Sequence, residues 1–395
     1  MSLSSNNITN SQNNGIELSV ILPCLNEERT IVQCINKIKE VLEKNQIQGE
    51  IIVADNNSTD NSASLAESAG AKLIQVLSPG YGNALRYGIK NSQGKYIIFF
   101  DSDLSYDPED IPALLSKLRE GASIVIGSRK NGSIDKGSMP WHHRYIGTPI
   151  MTLLANLLFK TNISDINSGM RGMSREAFER LDLHSEGMEF ASEMIAKAYW
   201  TKMEIAEVPI HFHCDQRGRR PHLHSVRDGW RHLQLMFHYC SVNWFFIPGF
   251  LLLAVSYLTF LLLPYYLNIY SSFFISLLTN ILATEILLIG VIAQGRVRGS
   301  KFRYSPSRYL KFLSKVIKVE KGMILGLGIC VLGIFTAVQS LNSPNVLEKN
   351  LFTDPKLFLW GILFLVQGIQ ILFSSILIGL FGIRVSEEEE FFRKL

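Results

Sequence analysis

Over its first 240 or so residues the chain alternates short apolar runs with stretches in which apolar positions return every three or four residues. Ile16 to Leu22 alternates and then runs apolar into Pro23-Cys24-Leu25-Asn26-Glu27-Glu28, and Ile31, Ile35, Ile38 and Leu42 follow on one helical face. Glu50 to Asp55 is a second strand, closed by the turn-forming Asn56-Asn57-Ser58-Thr59-Asp60. Lys72 to Val76 is a third, weaker strand, followed by Pro79-Gly80-Tyr81-Gly82 and a helix over 83–92. Tyr96 to Phe100 reads as a strand buried on both faces, because five bulky residues in a row leave no polar side for water. Ser123 to Gly127 is a fifth strand, Gly187 to Trp200 a helix carrying Glu189 and Glu193, and Met203 to Cys214 alternates as a strand should. Strands alternating with helices predict an α/β unit, its sheet largely parallel with helices on both faces.

The pattern then changes. Met151 to Phe159 is apolar behind the basic His142-His143-Arg144, too short to span a bilayer, and reads as a helix that packs or lies on a surface. An amphipathic helix with Arg227, Trp230 and Arg231 over 225–243 suits a headgroup layer. Four spans follow at about 244–264, 271–294, 322–341 and 357–383, each near the ~20 residues needed to cross. The expected organisation is a disordered tail at 1–15, an α/β domain at 16–224, the surface helix at 225–243, a four-helix transmembrane domain at 244–383 and a tail at 384–395. The loop at 295–321 holds nine Lys or Arg against the single acid Glu320, which puts it in the cytoplasm; counting spans back and forward puts the α/β domain and both termini there too. Within that loop, Leu310, Leu313 and Ile317 oppose Lys311, Lys315 and Lys318, the pattern of an interfacial helix over 306–320. Glu285 falls inside the second span, where an ionisable group is costly, which marks it as a functional candidate or, the preferred reading, as a group that pairs within the bundle.

Composition changes this picture little. A net charge of +4 does not argue for a nucleic-acid partner, and five cysteines with no C-x-x-C pair read as reduced thiols. His211, His213, Cys214, His222 and His224 lack the fixed spacings of a zinc site. No Walker lysine motif and no G-x-G-x-x-G follows the first strand. Oligomeric state is left open, a homo-oligomer included.

The chemistry gathers after the fourth strand, in KYIIFFDSDLSYDPED from Lys95 to Asp110. Ligands of open α/β sheets bind at the carboxyl edge, so Asp101 and Asp103 stand where chemistry is done. Together they can share a hard divalent cation bridging a diphosphate, although two acids one residue apart are also what a solvated strand end looks like. Asp107-Pro108-Glu109-Asp110 has the form of a helix start, which makes those acids structural.

These segments together resemble the family-2 glycosyltransferases of the GT-A fold, and within them the dolichyl- or polyprenyl-phosphate hexose synthases. The resemblance covers Leu18 to Leu233 and rests on LPCLNEE at 22–28, ADNNSTD at 54–60, GYGNALRYG at 80–88, DSDLSYDPED at 101–110, GSR at 127–129, HRYIGTP at 143–149, DINSGMRG at 165–172, MEFASEM at 188–194 and EVPI at 207–210. It implies a Rossmann-like GT-A catalytic domain followed by the helical transmembrane domain, and inverting transfer of a hexose from a UDP- or GDP-hexose to a membrane polyprenyl phosphate. Pro23, Leu25, Glu27, Asp55 and Gly82 would then serve the nucleotide. Asp101 and Asp103 would hold the diphosphate with Mg2+ or Mn2+. Arg129 and Arg144 would hold the acceptor phosphate, with Arg217, Arg219 and Arg220 in a closing loop; Glu193 would be a base or, more in keeping with an anionic acceptor, an orienting group. Asn56 stands where many relatives have Asp, Ser105 where some have a metal-binding Gln, and His222 where Lys is common. Two rivals are a processive polysaccharide synthase, which would carry a Q-x-x-R-W motif absent here, and a non-catalytic lipid transporter or scaffold.

Overall fold

The computed structural model describes residues 15–218, 225–239, 242–265, 268–299, 319–341 and 355–380. The expected tails at 1–14 and 384–395, Arg219, Arg220, His222, His224 and the interfacial helix over 306–318 lie outside these residues. The chain folds as two units, one ending at Met236 and one beginning at Phe237.

The first unit is built on a seven-stranded sheet: β1 (Leu18–Cys24), β2 (Gly49–Asp55), β3 (Lys72–Gln75), β4 (Tyr96–Phe99), β5 (Ile124–Ile134), β6 (Arg171–Ser174) and β7 (Ile205–Phe212), in the order β3-β2-β1-β4-β6-β5-β7. β1 pairs in parallel with β2 and β4, β2 with β3 and β5 with β7, as the strand–helix alternation predicts. β6 is antiparallel to both its neighbours, so the sheet is mixed. The sequence reads 168–172 only as a turn, because a four-residue strand containing Arg, Gly and Ser carries no apolar signal.

The helices α1 (Ile31–Lys44), α2 (Ser62–Ser68), α3 (Tyr81–Lys90), α4 (Ile111–Arg119), α5 (Thr148–Phe159), α6 (Arg175–Leu181), α7 (Phe190–Thr201) and α8 (Ser225–Tyr239) accompany the sheet. α1 buries Ile31, Cys34, Ile35, Ile38, Val41 and Leu42, the stripe its sequence shows, against the core of β1, β2 and β4. The Asp107 side chain caps the turn before α4 by accepting from the Glu109 amide at 3.1 Å, and Asp110 accepts from the His211 amide at 2.8 Å. These acids are structural, as read. His211 and His213 are likewise bonded to carboxylates, Asp110 for the first and Asp135 and Asp107 for the second. α3 crosses β1 so closely that a Cβ on Gly88 would lie 2.6 Å from Ile21 Cγ2.

Among the described residues of the second unit, four helices are long and apolar enough to cross a membrane: Trp244–Leu262, Ile269–Ile292, Glu320–Ser340 and Pro355–Gly379. Small residues set their packing. Ser256 and Ser276 exchange hydrogen bonds with each other's carbonyls at 2.9 and 2.8 Å, and Gln367 donates to Thr284 at 3.0 Å. Gly326 and Gly333 face Gly368 and Gly361 on the last helix, where a Cβ on Gly333 would lie 2.8 Å from the Gly361 carbonyl oxygen. Glu285 is exposed on the side of its helix, so the pairing expected inside the bundle is not formed among the described residues.

Alanine ordinarily stabilises a helix interior over glycine by about 1 kcal/mol, yet at position 88 there is no room for the methyl group. Gly88→Ala is therefore expected to speed amide hydrogen exchange in β1 and β2 of the full-length protein; unchanged or slower exchange would show that the helix–sheet contact is loose.

Candidate active site

The parallel register sets Cys24 beside Asp55 and Ile21 beside Phe99, so β1, β2 and β4 end at one edge of the sheet. β6 runs the other way and begins at that same edge, with Arg171 beside Phe99. A cavity of about 850 Å³ opens there. Pro23, Leu25, Glu27, Asp101, Asp103, Arg129 and Arg217, all singled out from the sequence, line it.

Asp101 accepts a hydrogen bond from the Tyr81 phenol, and burial pushes its carboxyl above the ordinary carboxylate range. Gly169 leaves it space: a Cβ there would lie 3.2 Å from Asp101 Oδ2. Asp103 is almost fully buried, its Oδ1 accepting from the Ser105 amide at 3.0 Å and the Ser105 hydroxyl at 2.5 Å, while Oδ2 pairs with Arg217. Leu104, directly after Asp103, holds φ +63°, a left-handed conformation costly for a branched side chain. Both acids line the cavity. Two carboxylates on one wall suit a hard divalent cation that takes its other ligands from phosphate and water, and Ser105 orients Asp103 where some relatives supply a Gln ligand. No cluster of three or more His, Cys, Asp or Glu suited to a metal exists among the described residues. Cys24 also lines the cavity, but burial pushes its thiol up to about 12, which removes it as a nucleophile at neutral pH.

The arginines are sorted by their partners. Arg129 grips Asp165 through Nε and Nη2 at 2.7 and 2.9 Å and stacks over the Phe212 ring. Burial alone would lower the Arg129 pKa and raise that of Asp165; their mutual attraction outweighs it, so the two move up and down respectively. Arg171 is fully buried and donates to the carbonyls of Ser168, Ala191 and Ile166, and burial pulls its pKa down to about 10. Arg217 lies between Asp103 and Glu27. Arg144 is exposed, packed on the Tyr145 ring, and does not line the cavity. The structure therefore does not bring Arg129 and Arg144 together.

Asp55, expected to serve the nucleotide, is buried and does not line the cavity, although its neighbours Cys24 and Asn56 do; its Oδ2 accepts from the Ser58 amide and its Oδ1 has no hydrogen-bond partner among the described residues. Asn56 donates to the Val76 and Ser78 carbonyls and accepts from the Gly80 amide. An Asp could not make the two donations, which explains the amide here. Of the two glycines expected to approach a ligand, Gly80 lines the cavity, and both are also packed against protein: a Cβ on Gly82 would strike the Ser185 carbonyl oxygen, and one on Gly80 that of Glu186. Gly82 is absent from the cavity lining. Glu193, a candidate base, does not reach the cavity either. It pairs with the buried Lys197 at 2.7 Å and accepts from the His184 and Ser185 amides at 3.0 and 2.7 Å, fixing the loop that meets Gly80 and Gly82. Glu193 thus holds the 184–185 loop.

Some lining residues were not assigned to the site from sequence: Tyr81, His143, Arg171, and Arg227, Arg231 and His232 on α8. α8, read only as a surface helix, buries Asp228, His232 and Met236 against the catalytic unit and is held by a 2.7 Å hydrogen bond between Ser192 and His232. Its polar face, taken from the sequence as headgroup-facing, is the signal that could have found it.

Arg129→Ala leaves Asp165 buried without its partner and is expected to cost the catalytic unit about 3–5 kcal/mol, read from its urea midpoint. Arg144→Ala, at an exposed side chain, should stay within about 0.5 kcal/mol. Equal effects would contradict this sorting.

The model of the family described as "Glycosyl transferase family 2" matches residues 19–182. The "Low-salt glycan biosynthesis hexosyltransferase Agl6" of Haloferax volcanii is 35% identical over 382 residues, covering 92% of this chain and 89% of that protein. The same organism's "Glycosyltransferase AglJ" is 28% identical over 211 residues, covering 53% of this chain and 67% of the relative. Among solved structures, glucosyl-3-phosphoglycerate synthase from Mycobacterium tuberculosis, in complex with Mn2+, UDP and glucosyl-3-phosphoglycerate, matches at 24% identity and a TM-score of 0.46 over 57% of this chain and 80% of that one. The match to the first relative along nearly the whole of both chains, with the family model over the sheet that carries Asp101 and Asp103, means that this chain belongs to glycosyl transferase family 2.

Proposed function

We propose that this glycosyltransferase moves a hexose from a nucleoside diphosphate sugar to a polyprenyl phosphate, with inversion at the anomeric carbon. The observation that carries the reading is the coincidence, in one chain, of the carboxylate pair Asp101 and Asp103 in a cavity at the carboxyl edge with four helices of membrane length. A soluble acceptor would not call for those helices; a lipid acceptor does.

A phosphate oxygen of the acceptor forms the new bond to the sugar C1 as the bond from C1 to the nucleoside diphosphate breaks. The acceptor is already an anion, so no strong base is needed, in keeping with a Glu193 that does not reach the cavity. What the site must supply is positioning and compensation of charge on the leaving diphosphate. Asp101 and Asp103 would hold a divalent Mg2+ or Mn2+, which supplies that compensation when bound. Arg217 can follow, because a side chain already paired to Asp103 and near Glu27 lies within reach of the same diphosphate.

The lipid end is supported by α5 and the segment before it. Ser138, Pro140, His143, Thr148 and Met151 line the cavity, whereas Trp141, Tyr145, Ile146, Ile150, Leu153 and Leu157 are exposed, the last four at helical spacing. An aromatic and apolar face rimmed by His142, Arg144 and Lys160 suits a headgroup layer. On this reading the enzyme is an integral membrane protein with its catalytic unit and both termini in the cytoplasm.

In purified protein, Asp103→Asn, which keeps the side chain's shape but weakens its pairing with Arg217, should abolish hexose transfer to polyprenyl phosphate from a panel of labelled nucleotide sugars, with the folded state of the variant checked by its urea midpoint. Undiminished, still metal-dependent transfer would sink the metal assignment. For topology, a single cysteine at Ser314 should be closed to an impermeant reagent added outside intact cells, and one at Asn345 open. The reverse pattern would place the catalytic unit on the other side.

A further inference from the structure

Five arginines line the cavity: Arg129, Arg171, Arg217, Arg227 and Arg231. Four are engaged by protein groups. Arg129 is bound to Asp165, Arg171 to three carbonyls, Arg217 to Asp103 and Arg227 to its neighbour Asp228 at 3.4 Å. Among the described residues, Arg231 makes no ion pair or hydrogen bond. Arg231 is exposed, yet it reaches the catalytic unit: its Nη1 would be 3.1 Å from a Cβ on Gly187, and Glu189 Oε2 2.6 Å from the same point, at the turn that leads to Met188 and Phe190 in the cavity wall.

The helix that carries it is anchored on both sides of Arg231. Asp228 and His232 are buried, and the imidazole of His232 is bonded to Ser192 on α7 at 2.7 Å. A flexible cation that served only solubility would not need its neighbours locked into the catalytic unit. The exposed Trp230 points to another side, so successive residues of one turn serve the exterior and the cavity.

We infer that Arg231 is the cavity-rim contact for the phosphate of the lipid acceptor. The inference rests on the polyprenyl-phosphate reading and replaces Arg144 in it. A guanidinium with unengaged donors binds a phosphate bidentately, and it contributes most where its donors are not already spent on the protein. The buried Arg129 and Arg171 have spent donors on the protein and shape the cavity wall, whereas Arg231 is the exposed lining arginine whose donors are left for a ligand.

The test uses full-length protein in nanodiscs, with a short-chain prenyl phosphate as probe in the presence of nucleoside diphosphate. Arg231→Gln is expected to weaken prenyl-phosphate binding and raise the acceptor KM at least tenfold, with nucleoside diphosphate affinity within twofold of wild type, and Arg231→Lys should recover part of the loss. Wild-type binding combined with an unaltered Arg231→Gln variant would overturn this inference alone. A defect that vanishes when anionic lipid is omitted from the nanodisc would assign Arg231 to lipid headgroups and likewise overturn it. Failure of the wild-type protein to bind or glycosylate any prenyl phosphate would remove the polyprenyl-phosphate reading itself, and this inference with it.

Discussion

The structure of the catalytic unit turns on keeping carboxylates ionisable at a mostly dry sheet edge. A buried charge is tolerated only with a partner, and the edge carries Asp55, Asp101, Asp103 and Asp165, three of them almost completely buried. Each answer comes from a different element: serine and an arginine from the segment after β7 for Asp103, a phenol from α3 for Asp101, an arginine from β5 for Asp165. The sheet order follows from the same need. Inserting β6 antiparallel between β4 and β5 delivers Arg171 and Gly169 to an edge that a further parallel strand would reach only with its last residues.

Charge compensation also explains why the loops are so tightly fitted. Glu193 and Lys197 neutralise each other inside α7 and spend their remaining hydrogen bonds on the backbone at 182–185. That loop then presents its carbonyls to Gly80 and Gly82, where any side chain would collide with them. Tyr81 lies between these glycines, so the group that bonds Asp101 is positioned by an ion pair it does not touch. A change at Glu193 would travel to the reacting acids through packed backbone.

Much of this was legible in the chain. Apolar runs marked β1, β2, β4 and β5 because buried strands must lack a polar side, and the abrupt change from Phe100 to Asp101 located the site because acids at that point have no packing role. The membrane-length helices were legible for the same reason, since composition and length suffice for them. What was hidden depends on contacts between distant segments. β6 has no periodicity of its own and exists because β4 and β5 flank it. Glu193 reads as a candidate base until Lys197, one helical turn on, and two loop amides are seen to occupy it. Gly82 reads as room for a ligand until the 185–187 loop is seen to fill that room.

The arginines show the limit most sharply. In sequence, Arg129, Arg144, Arg171 and Arg231 are alike: each is a permanent cation in or near a motif. In the structure they differ by what surrounds them, and the difference runs opposite to burial. The most buried, Arg171 and Arg129, have given most of their donors to the protein, because a guanidinium taken out of water must be satisfied before the chain can fold around it. An arginine free to bind a transient phosphate must stay partly wet, since only water can stand in for the ligand between turnovers. A phosphate contact in such an enzyme therefore belongs at the cavity's rim, on a helix held in place by its neighbours, where the cost of leaving donors unpaired is small.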